Sequence, residues 1–246
     1  MKTLVGVFTD TNLEIKADGK PFSPPRSFDV IKRKEWGKLK KEVAKKGGRL
    51  WNGIVYRLSG ISRQKGKTIL HLGTIDFRSH HATAFAKGLL NKKPFNQRPN
   101  GLYIGAYIKT KDGKFIFGHR SEKGIARENI NFIGGNLNKD EMKIEDIKDL
   151  FQYFIKEFEE ETSLERNAIK KLSGLGIFLS DNYRVAIVLT CLLKTPAEEV
   201  LKHARPNFEH KKILIFTEEE LLTAVSKGMV NPNIKGTYKF FKATQK

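Results

Sequence analysis

GGNLNKDEMKIEDIKDLFQYFIKEFEEETSL, residues 134–164, opens on a Gly-Gly turn and runs into an amphipathic helix that carries Glu157, Glu160 and Glu161 on one stripe. A helix advances about 100° per residue, so positions i, i+3 and i+4 share a face and the three carboxylates repel one another there. Ile147, Leu150, Phe151, Phe154, Ile155 and Phe158 follow the helical period on a neighbouring flank, so one flank packs and the next is acidic. Carboxylate oxygens are the ligands that hard divalent cations take, and a bound cation would relieve the repulsion while neutralising a substrate's phosphates. The alternative is a solvated acidic face, the usual account of a Glu-rich helix.

The segment resembles the Nudix box, Gly-x5-Glu-x7-Arg-Glu-U-x-Glu-Glu-x-Gly-U, where U is aliphatic or aromatic. Gly135 and Glu141 have its first spacing, after Gly134, and Lys156-Glu157-Phe158-Glu159-Glu160-Glu161-Thr162-Ser163-Leu164 aligns with its second half. The resemblance implies a metal-dependent hydrolase of nucleoside diphosphates linked to another group, of NDP-sugar or ADP-ribose type. It implies Mg²⁺, with Mn²⁺ as a substitute. Glu157, Glu160 and Glu161 would be catalytic metal ligands, the Gly135 carbonyl would lie nearby, and Glu141 would support the helix or a metal.

Three departures have physical consequences. Fourteen residues rather than seven separate Glu141 from Lys156, nearly two extra helical turns that leave the phase of the ligand face intact. Lys156 stands where the family has an arginine that orients a box glutamate, keeping the charge but losing the planar fork. Ser163 stands where the family ends the helix on a left-handed glycine, a strain of about 1 kcal/mol.

The flanks agree with the same resemblance. Leu102 to Ile108 and Lys114 to Gly118 are β-rich runs joined through Asp112-Gly113, a hairpin signal, and the second ends in His119-Arg120. After the box come apolar strands at Arg184 to Leu193 and Lys212 to Phe216, then a helix at Glu218 to Lys227. The order β, β, box helix, β, β, α matches an α/β/α sandwich around a mixed sheet. Arg120 and Arg127 are candidates for holding substrate phosphate or base, since a guanidinium offers paired planar donors. Glu209, in Phe-Glu-His before the second strand, lies where some family members place a base.

Residues 1–99 are read as a smaller, β-rich α+β domain and 100–246 as the sandwich, with the polar, proline-containing Asn91 to Gly101 between them. The 246 residues, 39% apolar, can bury a real core. Phe28 to Lys46 looks helical, and Ile54 to Leu58 and Thr68 to Leu72 look like a hairpin. Asn52-Gly53, Tyr56-Arg57-Leu58 and Leu72 to Arg78 resemble the amino-terminal region of Nudix enzymes acting on UDP-sugars.

Charge is uneven, with 22 Lys and Arg against 7 Asp and Glu in residues 1–99, and 24 against 20 in the rest. A basic surface attracts phosphates, RNA or DNA, or an anionic membrane. The run Lys32 to Lys46 is its densest part, so RNA is a candidate partner beside a nucleotide-type small molecule. An enzyme acting on RNA 5′ ends is therefore one open alternative; the departures at Lys156 and Ser163 leave a non-catalytic module that senses a nucleotide or binds a partner as another, and a homodimer is compatible with the sequence.

The lone cysteine, Cys191, lies in an apolar run too short to span a bilayer and reads as a core thiol. It excludes an intrachain disulfide, and a cytoplasmic protein without a membrane span is the expectation. Gly60 to Thr68 imitates a phosphate-binding loop, but with the wrong glycine spacing in a hairpin context. His80-His81 reads as a surface loop and Gly174-Leu175-Gly176 as a turn.

Overall fold

The computed structural model describes residues 1–48, 50–121, 129–205 and 210–245. In chain order the elements are β1 (Lys2–Val5), β2 (Leu13–Lys16), α1 (Arg26–Lys45), β3 (Ile54–Gln64), β4 (Lys67–Asp76), α2 (Phe77–Ala82) and α3 (Lys87–Leu90). There follow β5 (Gly101–Lys109), β6 (Phe115–Arg120), β7 (Ile130–Asn131), α4 (Ile147–Thr162), β8 (Ile169–Leu179), β9 (Arg184–Leu193), α5 (Ala197–His203), β10 (His210–Phe216), α6 (Glu218–Ser226) and α7 (Pro232–Thr244).

These make an α/β sandwich around one mixed sheet. The order β1-β8-β9-β5-β3-β4-β2 forms its main path, and β6 continues from β5 to β7 and β10. Alternation along β5 divides the core in two. Leu102, Ile104, Ala106 and Ile108 pack with Leu150, Phe154 and Phe158 of α4. On the opposite face, Tyr107 packs with Leu221 of α6 and Ile234 and Phe241 of α7. Side chains alternate across a strand, so one strand serves both layers.

Strand pairing crosses the segment 91–101 twice: β1 pairs with β8, and Arg57 of β3 pairs with Gly101 of β5. That segment is not the loose linker its composition suggests. Arg57, 2% exposed, donates to the carbonyls of Lys20, Asn96, Arg98 and Pro99 at 2.7–3.2 Å. Proline-containing chain offers carbonyls that its own backbone cannot satisfy, and a buried guanidinium has donors enough for several. Burial pushes the Arg57 guanidinium down to about 10.

Two other expectations need correction. His80 and His81 belong to α2, which Asp76 caps through Ser79 N–H, and His80 is buried rather than on a surface loop. Gly174 and Gly176 lie within β8 at a register shift against β9, where the Phe8 and Phe178 rings occupy the space a Cβ would need. Glycine there admits packed aromatics rather than a turn. The hairpin at 54–72 is longer than its apolar runs, turning through Lys65 and Gly66, both at positive φ. Cys191 is buried in the core, which pushes its thiol up to about 12. Among the described residues no helix is long and apolar enough to cross a membrane.

Candidate active site

The acidic helix is α4. Asp146 caps it by accepting from Lys148 N–H and Asp149 N–H, and Asp149 returns the bond to Asp146 N–H, a reciprocal cap. The residues between Glu141 and Lys156 run through the approach to this cap and the first part of α4. At the other end Ser163 adopts φ 58°, ψ 18°, the left-handed turn expected there, although it is not a glycine.

The Gly-Gly turn and the glutamate stripe meet. Gly134 sits at φ 136°, a conformation that glycine alone takes without strain, and a Cβ there would lie 2.2 Å from the Ile104 carbonyl oxygen. Its N–H donates to Glu161 Oε2 at 2.8 Å. A Cβ on Gly135 would lie 2.6 Å from Glu157 Oε2, so the absence of a side chain lets the carboxylate close on the turn. Ile104 N–H donates to the Gly135 carbonyl at 2.9 Å, fixing the turn to β5 and leaving that oxygen a second lone pair.

Each carboxylate has its own environment. Glu161 is 3% exposed, and His210 Nε2 lies 3.0 Å from its Oε1. Glu160 points outward, and Lys156 Nζ pairs with it at 3.1 Å and with Glu141 at 2.9 Å. The single ammonium therefore ties the loop to the helix, the position given to the family's arginine. Burial opposes the Glu141 charge, but hydrogen bonds from Lys156 and Asn138 outweigh it and hold the carboxyl below its ordinary value. Burial likewise opposes the Lys156 charge, yet Glu141 and Glu160 leave its ammonium above the usual lysine value.

Tyr153, Asn136, Asn138 and His210 complete the site and were not singled out from sequence. Tyr153 O–H donates to the Asn136 carbonyl at 2.8 Å and accepts from Asn138 N–H at 3.0 Å, stitching the turn to α4. Burial pushes its phenol above the tyrosine range, and the Glu157 charge adds to the shift. Its signal was present: Tyr153, Glu157 and Glu160 are spaced i, i+4, i+7 on one face. His210 had none, because it reaches Glu161 from a strand distant in sequence.

Arg120 ends β6 beside His210 of β10, with its N–H on the Asn129 carbonyl. Arg127 and Glu209 lie outside the described residues. Among the described residues no three His, Cys, Asp or Glu side chains converge as a preformed metal cluster. Cavities of about 180 Å³ beneath α7 and about 310 Å³ between Phe22 and Arg57 include none of the box residues.

The likeness to solved structures is partial, and Nudix hydrolases are among those matched. A NUDIX hydrolase from Nitrosomonas europaea matches at TM-score 0.43 and 14% identity, over 58% of this chain and 89% of that one. The MutT protein from Methanosarcina mazei Go1 matches at 0.43 and 16%, over 59% and 96%. A C. elegans Ap4A hydrolase in a binary complex matches at 0.42 and 15%, over 59% and 97%. No family model and no curated protein matches the chain. At these scores the functional reading rests on the chain's own residues.

Proposed function

We propose that the chain is a Nudix-type pyrophosphohydrolase that uses Mg²⁺, with Mn²⁺ as a substitute. Its substrate is a nucleoside diphosphate linked to another group, of NDP-sugar or ADP-ribose type, cleaved into two phosphate-containing products. The observation that carries the reading is the closure of the Gly134–Gly135 turn on Glu157 and Glu161. It sets Glu157 against Gly135 and Glu161 on Gly134 N–H, which supports the reading drawn from the sequence resemblance.

The donor chemistry fits a hard cation, since Glu157, Glu160 and the Gly135 carbonyl supply only oxygen. Glu161 contacts Gly134 N–H and His210, so in this arrangement it anchors the helix to the turn, and Glu157 and Glu160 would hold the ion. When bound, the cation supplies charge for the diphosphate and lowers the pKa of the attacking water. The chain's part is positioning. Lys156 restrains Glu160 and Glu141, Tyr153 fixes the turn, and Arg120 or Arg127 holds substrate phosphate, with Glu209 the candidate base.

A nucleotide-binding role without turnover is the second reading, favoured by the burial of Glu161 against His210. The test is to incubate the protein with NDP-sugars, ADP-ribose, dinucleoside polyphosphates, nucleoside triphosphates and capped RNA, with and without Mg²⁺, and identify products by mass. Two phosphate-bearing products that require Mg²⁺ support the enzyme. Tight nucleotide binding with no product supports the second reading.

A further inference from the structure

The cavity of about 180 Å³ beneath α7 opens on the face of the sheet away from α4. Its floor is two rows of side chains set by strand register. In one row Ser173 stands opposite Thr190 and Thr190 opposite Tyr107; in the next, Lys171 and Lys109 stand on either side of Leu192. Tyr107 belongs to the core under α7, and side chains alternate across a strand, so both rows point into that layer. Phe115 of β6 and Phe241 of α7 form the walls.

The lining carries one sign of charge and unspent donors. None of β5, β6, β8, β9 and α7, the elements that build the cavity, contains an aspartate or a glutamate. Among the described residues Lys109 and Lys171 form no ion pair and donate to no carbonyl, so they do not cap the end of α7. The Lys109 ammonium lies 5.5 Å from the centre of the Phe115 ring, which draws it to the cavity wall. The Ser173 and Thr190 hydroxyls are half-buried and likewise without a hydrogen-bond partner among the described residues. Two lysines separated by one strand have Cα atoms roughly 10 Å apart, close enough for both side chains to reach one anion above Leu192. Such an anion relieves the repulsion between them.

The remaining surface is apolar. Leu192, 39% exposed, and the rings of Phe115 and Phe241 border the same space, so a purely ionic ligand would leave them facing water. We propose that this cavity binds a small carboxylate with a flat apolar body. The ammoniums of Lys109 and Lys171 and the hydroxyls of Ser173 and Thr190 meet the carboxylate, while the body lies against Leu192 and Phe241. The site shares β5 with the Gly134–Gly135 turn but lies across the sheet from the glutamates of α4. It therefore stands apart from the hydrolase reading.

Scanning calorimetry in rising sodium benzoate, against sodium chloride of equal ionic strength, tests the site without metal or turnover. Wild type should be stabilised with an apparent Kd of about 1 mM or tighter. Benzamide has the shape without the charge, and inorganic phosphate has the charge without the apolar body; each should bind at least about tenfold more weakly. The double variant Lys109→Met, Lys171→Met should lose the response to benzoate, and without benzoate it should melt within about 2 °C of wild type because the side chains keep their apolar length. Thr190→Val, which exchanges a hydroxyl for a methyl, should weaken benzoate at least about threefold. The site is wrong if benzoate does not stabilise wild type beyond the chloride reference, or if both variants respond as wild type does. Should the double variant fail to fold, an unchanged benzoate affinity in Thr190→Val overturns the site by itself. A response to benzamide or phosphate equal to that of benzoate overturns the assignment of an apolar carboxylate.

Discussion

Replacing Ser163 with glycine should stabilise the protein. Ser163 is exposed, ends α4 at φ 58° and gives its N–H to the Glu159 carbonyl at 3.0 Å, a bond glycine retains. An L residue in the left-handed region costs about 1–2 kcal/mol relative to its right-handed form, which Ser163→Gly removes. Glycine gives back about 0.5–1 kcal/mol through the greater freedom of its unfolded chain. The net gain is about 0.5–1 kcal/mol, or a rise in Tm of roughly 1–4 °C for a chain of this size. Calorimetry in metal-free buffer reads it directly. The backbone of α4 does not move in this argument, so Mg²⁺ affinity should stay within about twofold. A fall in Tm of more than about 2 °C would show that the serine side chain holds the helix end and that relief of backbone strain was the wrong account.

Lys156→Ala should cut kcat/KM and weaken Mg²⁺ binding, since Glu141 and Glu160 lose their shared cation, while costing under about 1 kcal/mol of stability because the pair is partly exposed. Lys156→Arg should preserve or raise activity; if a Mg²⁺ titration shows arginine as damaging as alanine, the positioning role fails. Arg57→Ala leaves the buried Pro99 carbonyl and three partly buried ones short of a donor and should cost about 2–4 kcal/mol in urea unfolding, whereas a loss below about 1 kcal/mol would mean the 91–101 segment is held by other contacts.

The helix, its apolar flank, its left-handed end and the box hairpin were legible because each follows a local rule: period, cap or turn chemistry. What escaped depended on contacts distant in sequence. The β8 strand was hidden by two glycines whose purpose is to admit Phe8 and Phe178, and composition made 91–101 look like open linker because its clamp, Arg57, sits some forty residues earlier. His80 read as a loop residue because adjacent histidines point apart in regular structure, yet a short helix buries just one side of that pair. At the site, the stripe gave Glu157, Glu160 and Glu161 as equivalents. Only the fold separates Glu161, buried against His210, from Glu160, which faces solvent beside Lys156.

The central claim is that Glu157, closed against the Gly134–Gly135 turn, and Glu160, held beside Lys156 on the same helix, support Mg²⁺-dependent cleavage of a diphosphate. The most direct measurement is turnover of the best nucleoside diphosphate-linked substrate at saturating Mg²⁺ by wild type, Glu157→Gln and Glu160→Gln, with circular dichroism to verify folding. Glutamine keeps the shape and removes the charged ligand, so each variant should lose at least about tenfold in kcat while remaining folded. Folded variants that both turn over at the wild-type rate would contradict the account.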